Sequence, residues 1–254
     1  MRLARAFRQR PLAPLAIAGV AAVAMAATGA FAYHNIKQLN RYETSDEAEA
    51  FSAAYERKYL KYEHLPRPVV TKVVLDAQLY PADRRLDVTG RYDLRNDTDA
   101  PIRDLHVRSG DRDAEWLKLD VAGATLASED PKFAYRIYRF ATPLAPGAST
   151  SMSFTTRIWN RGFRAGSPAT DVIENGTFAN NSQFAPIIGM SRQGMLSDRA
   201  KRRRQGLPPE LRMAKLEDAS ATQRNYVGAD WVNSDIRLTT DAGQTPIAPG
   251  NKVS

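Results

Sequence analysis

The chain has 254 residues, 43% of them hydrophobic and 25% charged, which is the composition of a globular protein and excludes a disulfide mini-scaffold and a disordered chain. It contains no cysteine, so thiol chemistry and Cys-ligated metal are excluded, and its three histidines, His34, His64 and His106, stand too far apart for a local HExxH or HxH pair. The net charge of +8 is concentrated: Arg2, Arg5, Arg8 and Arg10 supply four charges and Arg199, Lys201, Arg202, Arg203 and Arg204 five, so without them the chain stands at −1. Two isolated clusters are not the continuous basic face of a nucleic-acid binder, and no nucleic-acid partner is expected.

The first cluster forms a basic tail over 1–10 and leads into an apolar segment over 11–33. Within it the uncharged run Leu15 to Tyr33 has 19 residues. As a helix it spans about 28 Å, close to the ~30 Å hydrocarbon core of a bilayer. Arginines before it and Glu43, Asp46, Glu47 and Glu49 after it orient the N-terminus inward and the bulk of the chain to the far side. The expected location is a bacterial inner membrane, single-pass, with the bulk periplasmic and the lipid bilayer as a partner. Ala30-Phe31-Ala32 also fits a signal-peptide cleavage site, so an anchor and a cleaved leader both remain open, and both predict export.

Residues 34–66 read as an amphipathic stalk helix. Ser45 is the candidate N-cap, acids fill the first turn, and Arg57, Lys58 and Lys61 lie toward the end. Ala48, Phe51, Ala54, Tyr55, Tyr59 and Tyr62 share one face, expected to pack on the following sheet in preference to binding lipid or a partner; Pro66 and Pro68 terminate the helix, and His64 is placed as a C-terminal cap.

From Val69 the period becomes two. Val69, Thr71, Val73, Leu75, Ala77 and Leu79 form one face of a strand, Tyr80 to Asp83 a turn, and Leu86, Val88, Gly90, Tyr92 and Leu94 the inward face of the next. Further strands are expected over Ile102 to Arg108, at Leu117, Leu119 and Val121, over Phe133 to Phe140 and over Ser151 to Ile158, with a turn at Asn96 to Pro101. Residues 161–230 lose periodicity, and Asp230 to Thr240 reads as a last strand. The fold class is mainly β: an N-terminal transmembrane helix, a stalk helix and an antiparallel β-sandwich over 67–254 with a long irregular segment over 161–230.

The stretches LDAQLYPADRRLDVTGRYDLRNDTDAPIRDLHV and YRIYRFATPLAPGASTSMSF resemble the N-terminal β-sandwich, or saddle, domain of M1-family aminopeptidases. RYETSDEAEAFSAAYERKYLKYEHLPRP, ENGTFANNSQFAPIIGM, LSDRAKRRRQGLPPELRM and DWVNSDIRLTTDAGQTPIAPG are similar to bacterial membrane proteins in which an ABC-type permease precedes an M1-like periplasmic region. The resemblance implies zinc in full-length relatives, with GxMEN and HExxH motifs following this domain. Neither motif occurs here, so no cofactor is expected in this chain, which reads as a fragment without the zinc domain and, with a single membrane segment, without the multi-helix permease.

By the same resemblance, the end of the saddle domain approaches the substrate's N-terminal residue, which makes Asn175, Asn180 and Asn181 candidate substrate or partner contacts. Arg199, Lys201, Arg202, Arg203 and Arg204 are candidates for contact with anionic headgroups or an acidic partner, against the plain reading of a solvated face. His106, between Leu105 and Val107, is expected on the opposite, surface or half-buried face. Asp76, Asp87 and Asp93 are expected on the solvent face of the sandwich. Together these predict a membrane-anchored module with no catalytic residues, inactive alone. The alternatives are the non-catalytic half of a split zinc aminopeptidase completed by a second chain, a permease or zinc-peptidase chain being the candidate partner, and a stand-alone periplasmic peptide binder.

Overall fold

A computed structural model describes residues 12–166, 171–209, 215, 217–218 and 231–253. The basic tail over 1–10 and most of 210–230 lie outside the described residues. Two compact units are present, one comprising the N-terminal helix with the 161–169 loop, the other comprising Glu43–Asn160 and the chain from Thr170 onward.

In the first unit, α1 (Leu12–Tyr33) continues as a π-helical stretch over His34–Leu39, 28 residues in all, and no residue of α1 is buried. The helix therefore passes through the candidate cleavage site at Ala30 to Ala32 without a break.

The second unit is a β-sandwich with a helix on one outer face. One sheet has the order β11-β1-β2-β7-β4 and the other β10-β3-β6-β5. The strands are β1 (Val69–Tyr80), β2 (Arg85–Arg95), β3 (Ile102–Ser109), β4 (Glu115–Val121), β5 (Ala124–Asp130), β6 (Tyr135–Leu144), β7 (Ser149–Trp159), β10 (Pro186–Ile188) and β11 (Asn233–Thr239), with a separate hairpin of β8 (Val172–Ile173) and β9 (Gly176–Thr177). Leu86, Val88, Tyr92, Leu94, Met152 and Phe154 from the first sheet meet Leu105, Val107, Tyr138 and Phe140 from the second in one core. The alternation expected for β2 holds at every inward position, because its opposite face is polar and a one-residue slip would bury Asp87, Arg91 and Asp93.

Asn96 fixes the crossing from the first sheet to the second. Fully buried, its Nδ2 donates to Ala100 O and Leu144 O at 2.8 Å each, and its Oδ1 accepts from Thr98 N at 3.0 Å and Thr98 Oγ1 at 2.7 Å. All four side-chain hydrogen-bonding positions are used, which is how a buried amide avoids its desolvation cost. Tyr138 Oη bridges the sheets at the other side, donating to Leu119 O at 2.8 Å.

Three expectations for this unit are corrected. A bulge between Trp116 and Lys118 turns Trp116 inward and leaves Leu117 exposed, so Leu117 does not share the inward face of Leu119 and Val121. β5, which no periodicity signalled, is an edge strand whose residues are almost all exposed. β11 runs parallel to β1, so the sandwich is antiparallel everywhere except at this edge.

The helix of the expected stalk, α2 (Ser45–Tyr59), belongs to the second unit and, as its aromatic stripe predicts, packs on the sandwich. Its N-cap is Thr44, one residue before the expected Ser45: Glu47 N donates to Thr44 Oγ1 at 3.3 Å and Thr44 N donates to Glu47 Oε2 at 2.7 Å, a capping box. The aromatic face lies on the outer side of the second sheet. Tyr59 stacks on Tyr135 with ring centroids 4.1 Å apart, and Phe51 lies 4.8 Å from Phe133. His64 is exposed beyond the C-cap, Leu60, and is not the capping residue.

Candidate functional site

The cationic run folds as a short helix, α4 (Arg199–Arg204), capped by Asp198 Oδ1, which accepts from Lys201 N at 2.8 Å. It lies along a second stripe of α2, formed by Asp46, Glu49, Ala53 and Glu56 at three- and four-residue spacing. Arg202 is buried there: Nη2 donates to Glu56 Oε1 at 2.7 Å, Nη1 donates to Glu56 Oε2 at 2.8 Å, and Nε donates to Pro208 O at 2.9 Å. Lys201 and Arg204 both reach Glu49 Oε1 at 3.3 Å. Arg202 is therefore not a headgroup contact, and the acid that this part of the run meets belongs to the same chain. Arg199 and Arg203 are exposed.

The asparagines separate into two settings. Asn175 is exposed at the tip of the β8–β9 hairpin. Asn180 caps α3 (Asn181–Phe184): its Oδ1 accepts from Ser182 N at 3.0 Å while its own N–H donates to Gln183 Oε1 at 2.7 Å. Asn181 is exposed and opens the helix, its carbonyl accepting from Ala185 N at 2.8 Å. α3 is seated on the sandwich by Thr156 Oγ1, which donates to Phe184 O at 2.6 Å, and by Gly110, where a Cβ would stand 1.7 Å from Ser182 O. The acceptor of Asn180 is thus consumed by local structure.

Beneath α2, β3 presents Asp104, His106 and Arg108 on its outer face. His106 is buried, not at the surface: Tyr62 covers it with ring centroids 4.6 Å apart, and its Nδ1 lies 3.0 Å from Tyr135 Oη. Burial lowers its pKa, opposed in part by the charge of Asp104, so the neutral imidazole is favoured. Asp104 is held below the usual carboxylate range chiefly by its hydrogen bonds with Arg139, at 2.8 and 3.0 Å. Arg108 is buried, its Nη1 donating to Ser109 O at 3.2 Å, while Nε and Nη2 have no partner among the described residues.

A small cavity of about 10 Å³, room for roughly one water, is lined by Tyr62, Glu63, Arg67, Asp104, His106 and Gly189 among others. Its acids are engaged, Glu63 accepting from Arg192 at 2.5 and 3.0 Å. Among the described residues no group of three or more His, Asp or Glu side chains could hold a metal ion, so the zinc implied by the family resemblance finds no donor set there. Asp87 is bonded to Arg157, and Asp93 accepts from Arg91 at 3.0 Å, so neither forms a carboxylate pair for acid–base work.

No family model matches the chain, and no curated protein matches it. Solved structures do. An M1 zinc metallopeptidase from Deinococcus radiodurans is 10% identical with a TM-score of 0.29, the match covering 37% of this chain and 21% of that one. A two-domain M1 zinc metallopeptidase mutant bound to L-tryptophan is 9% identical with a TM-score of 0.31, covering 47% and 30%. Legionella pneumophila aminopeptidase A in complex with aspartic acid is 13% identical with a TM-score of 0.27, covering 38% and 11%. The matches span less than a third of the length of each of these structures.

At the end of α1, a loop of the same unit is fastened to the helix. Asn40 Nδ2 donates to Arg161 O at 2.8 Å, to Asn35 O at 2.9 Å and to Phe163 O at 3.3 Å. Gly162 adopts φ +60°, and a Cβ there would stand 2.2 Å from Asn35 Oδ1. Neither asparagine stood out in the sequence, because an Asn beside an apolar run carries no periodic signal. The loop that they hold, Arg161 to Phe163, lies more than a hundred positions away.

Proposed function

We propose that this chain is a membrane-anchored, extracytoplasmic β-sandwich module that has no catalytic centre of its own and serves as the structural or docking part of a larger bacterial inner-membrane assembly. The observation that carries this reading is that α1 is apolar throughout and none of its residues is buried by protein. Such a helix needs an apolar solvent, and a bilayer supplies it. Retention of α1 as an anchor is supported by the Asn35 and Asn40 contacts, since cleavage after Ala32 would leave the 161–166 loop held by a short, frayed stub. The absence of a catalytic role is supported by the engagement of the acids around His106 and by the lack of a metal-donor set among the described residues.

The test combines location and activity. The full chain, expressed in a bacterium, is expected in the membrane fraction after alkaline carbonate washing, with an intact mass that includes residues 12–33. Its β domain is expected to be cut by protease added to spheroplasts. Purified with zinc and offered an aminoacyl-arylamide, it is expected to give no chelator-sensitive turnover. A mature N-terminus near Tyr33, or turnover abolished by chelation, overturns the reading.

A further inference from the structure

Aromatic rings collect where α1 leaves its apolar stretch. Phe31 and Tyr33 are 62% and 59% exposed, and Phe163 of the 161–166 loop, 44% exposed, lies 5.8 Å ring to ring from Phe31. Phe163 is not a stray surface residue. Asn40 grips the backbone carbonyl on Arg161 and that of Phe163 itself, and the close approach of Gly162 to Asn35 leaves no room for a side chain between helix and loop. A packed loop thus presents an apolar ring next to that of Phe31, with Arg161 and Arg164 flanking it in the sequence.

We propose that the 161–166 loop is a membrane seat, with Phe163, Phe31 and Tyr33 at the boundary between acyl chains and headgroups; its partner is the phospholipid surface. This rests on the reading of α1 as a membrane span and adds a second point of contact. Aromatic rings favour that depth because the boundary accepts an apolar body and a polar edge together.

The chain has no cysteine, so single labelling sites are clean. Three full-length variants, Val23→Cys, Phe163→Cys and Ala165→Cys, are each labelled with bimane and reconstituted in phosphatidylcholine–phosphatidylglycerol vesicles carrying a nitroxide either at headgroup level or at mid-chain. The label at 163 is expected to be quenched at least twofold more by the headgroup-level nitroxide than by the mid-chain one, and the label at 23 the reverse. Ala165→Cys keeps the Phe163 ring and is expected to report the same shallow depth, so loss of the ring does not decide the result. A deep label at 23 with labels at 163 and 165 quenched by neither nitroxide overturns the seat and leaves the span standing. Labels at all three sites beyond the reach of both overturn the span as well.

Discussion

Arg202 and Glu56 meet in a two-bond fork with both side chains 3% exposed, joining α4 to α2 across 146 positions of sequence. Charges withdrawn from water to this degree are stable only together, because each alone would keep its full desolvation cost. The basic run is thereby divided by burial: Arg202 holds the fold, Lys201 and Arg204 reinforce it through Glu49, and Arg199 and Arg203 face outward.

Removing one partner should be costly. Glu56→Ala or Arg202→Ala is expected to lower the unfolding free energy by about 3–5 kcal/mol, measured by chemical denaturation of the full chain in detergent. The double variant Glu56→Leu/Arg202→Met should recover part of that loss, and only part, because Leu196 O and Pro208 O also lose a donor. An Arg202→Ala protein as stable as the parent would mean that α4 does not dock on α2.

Arg108 should behave in the opposite way. It is buried against Tyr55 and Tyr135 with two nitrogens lacking partners, and burial lowers its pKa despite the opposing influence of those two tyrosines. Among the described residues no carboxylate compensates it, so the desolvation cost stands largely unrecovered. Arg108→Met keeps the stem volume and removes the charge. It is expected to be neutral or to raise stability by about 1–3 kcal/mol in the same denaturation experiment, with the arginine's bond to Ser109 O as the only loss. A fall of several kcal/mol would show that the guanidinium has a partner that the fold does not reveal.

How far the fold was legible in the sequence depends on where each contact lies. β2 alternates cleanly because one face is core and the other is charged, so Leu86 through Leu94 could be placed from pattern alone, whereas in β1 a bulge between Val70 and Lys72 breaks the expected face and Val70, not Val69 or Thr71, packs against the main core. β5 could not: as an edge strand it buries almost nothing and carries no alternation. His106 was misplaced because β3 reads as half-buried on its own. The aromatic stripe of α2 was visible, but nothing local said that Tyr62 would close over this strand. Glu49 and Glu56 form a stripe with Asp46 by helical spacing, which the reading of Glu49 as an orienting acid alone does not use. A mainly acidic stripe in one element and a cationic run in another were the available signal for that contact.

The burial of His106 gives the domain a pH dependence. Its folded pKa is lowered, first by desolvation and against the pull of Asp104, so the unfolded chain binds a proton at a higher pH than the folded one does. Stability from this group is present above the unfolded histidine value of about 6.5 and is lost as pH falls from there through the folded value. The groups around it are Tyr62 of the segment after α2, Tyr135 of β6, and Asp104 and Arg108 of its own strand, with Arg139 holding Asp104 ionised. Asp104, Asp97 and Asp130 also sit below the usual range, and their contribution stays constant until pH falls to about 4. The full chain is therefore expected to be less stable at pH 5 than at pH 7.5, and His106→Phe should flatten that difference. An unchanged slope in the variant would place the titrating group elsewhere.

Gly90 provides a steric test of the core. It lies directly opposite Phe154 in the β2–β7 pair, and a Cβ there would stand 2.2 Å from Cζ and 2.7 Å from both Cε atoms of that ring. Its backbone φ is one that any residue adopts, so alanine carries no conformational penalty at this position and the whole cost is overlap. Phe154 is 1% exposed and makes an edge contact with Tyr92 at 5.1 Å, so the ring has nowhere to retreat. Gly90→Ala is expected to destabilise by about 1–3 kcal/mol through overpacking. Phe154→Leu shortens the obstructing side chain and is itself destabilising, but in combination with Gly90→Ala the cost should be smaller than the two single costs added, since the new methyl fills part of the space vacated. Double-mutant denaturation reads that coupling directly, and strict additivity would mean that the glycine and the ring do not meet as this register places them.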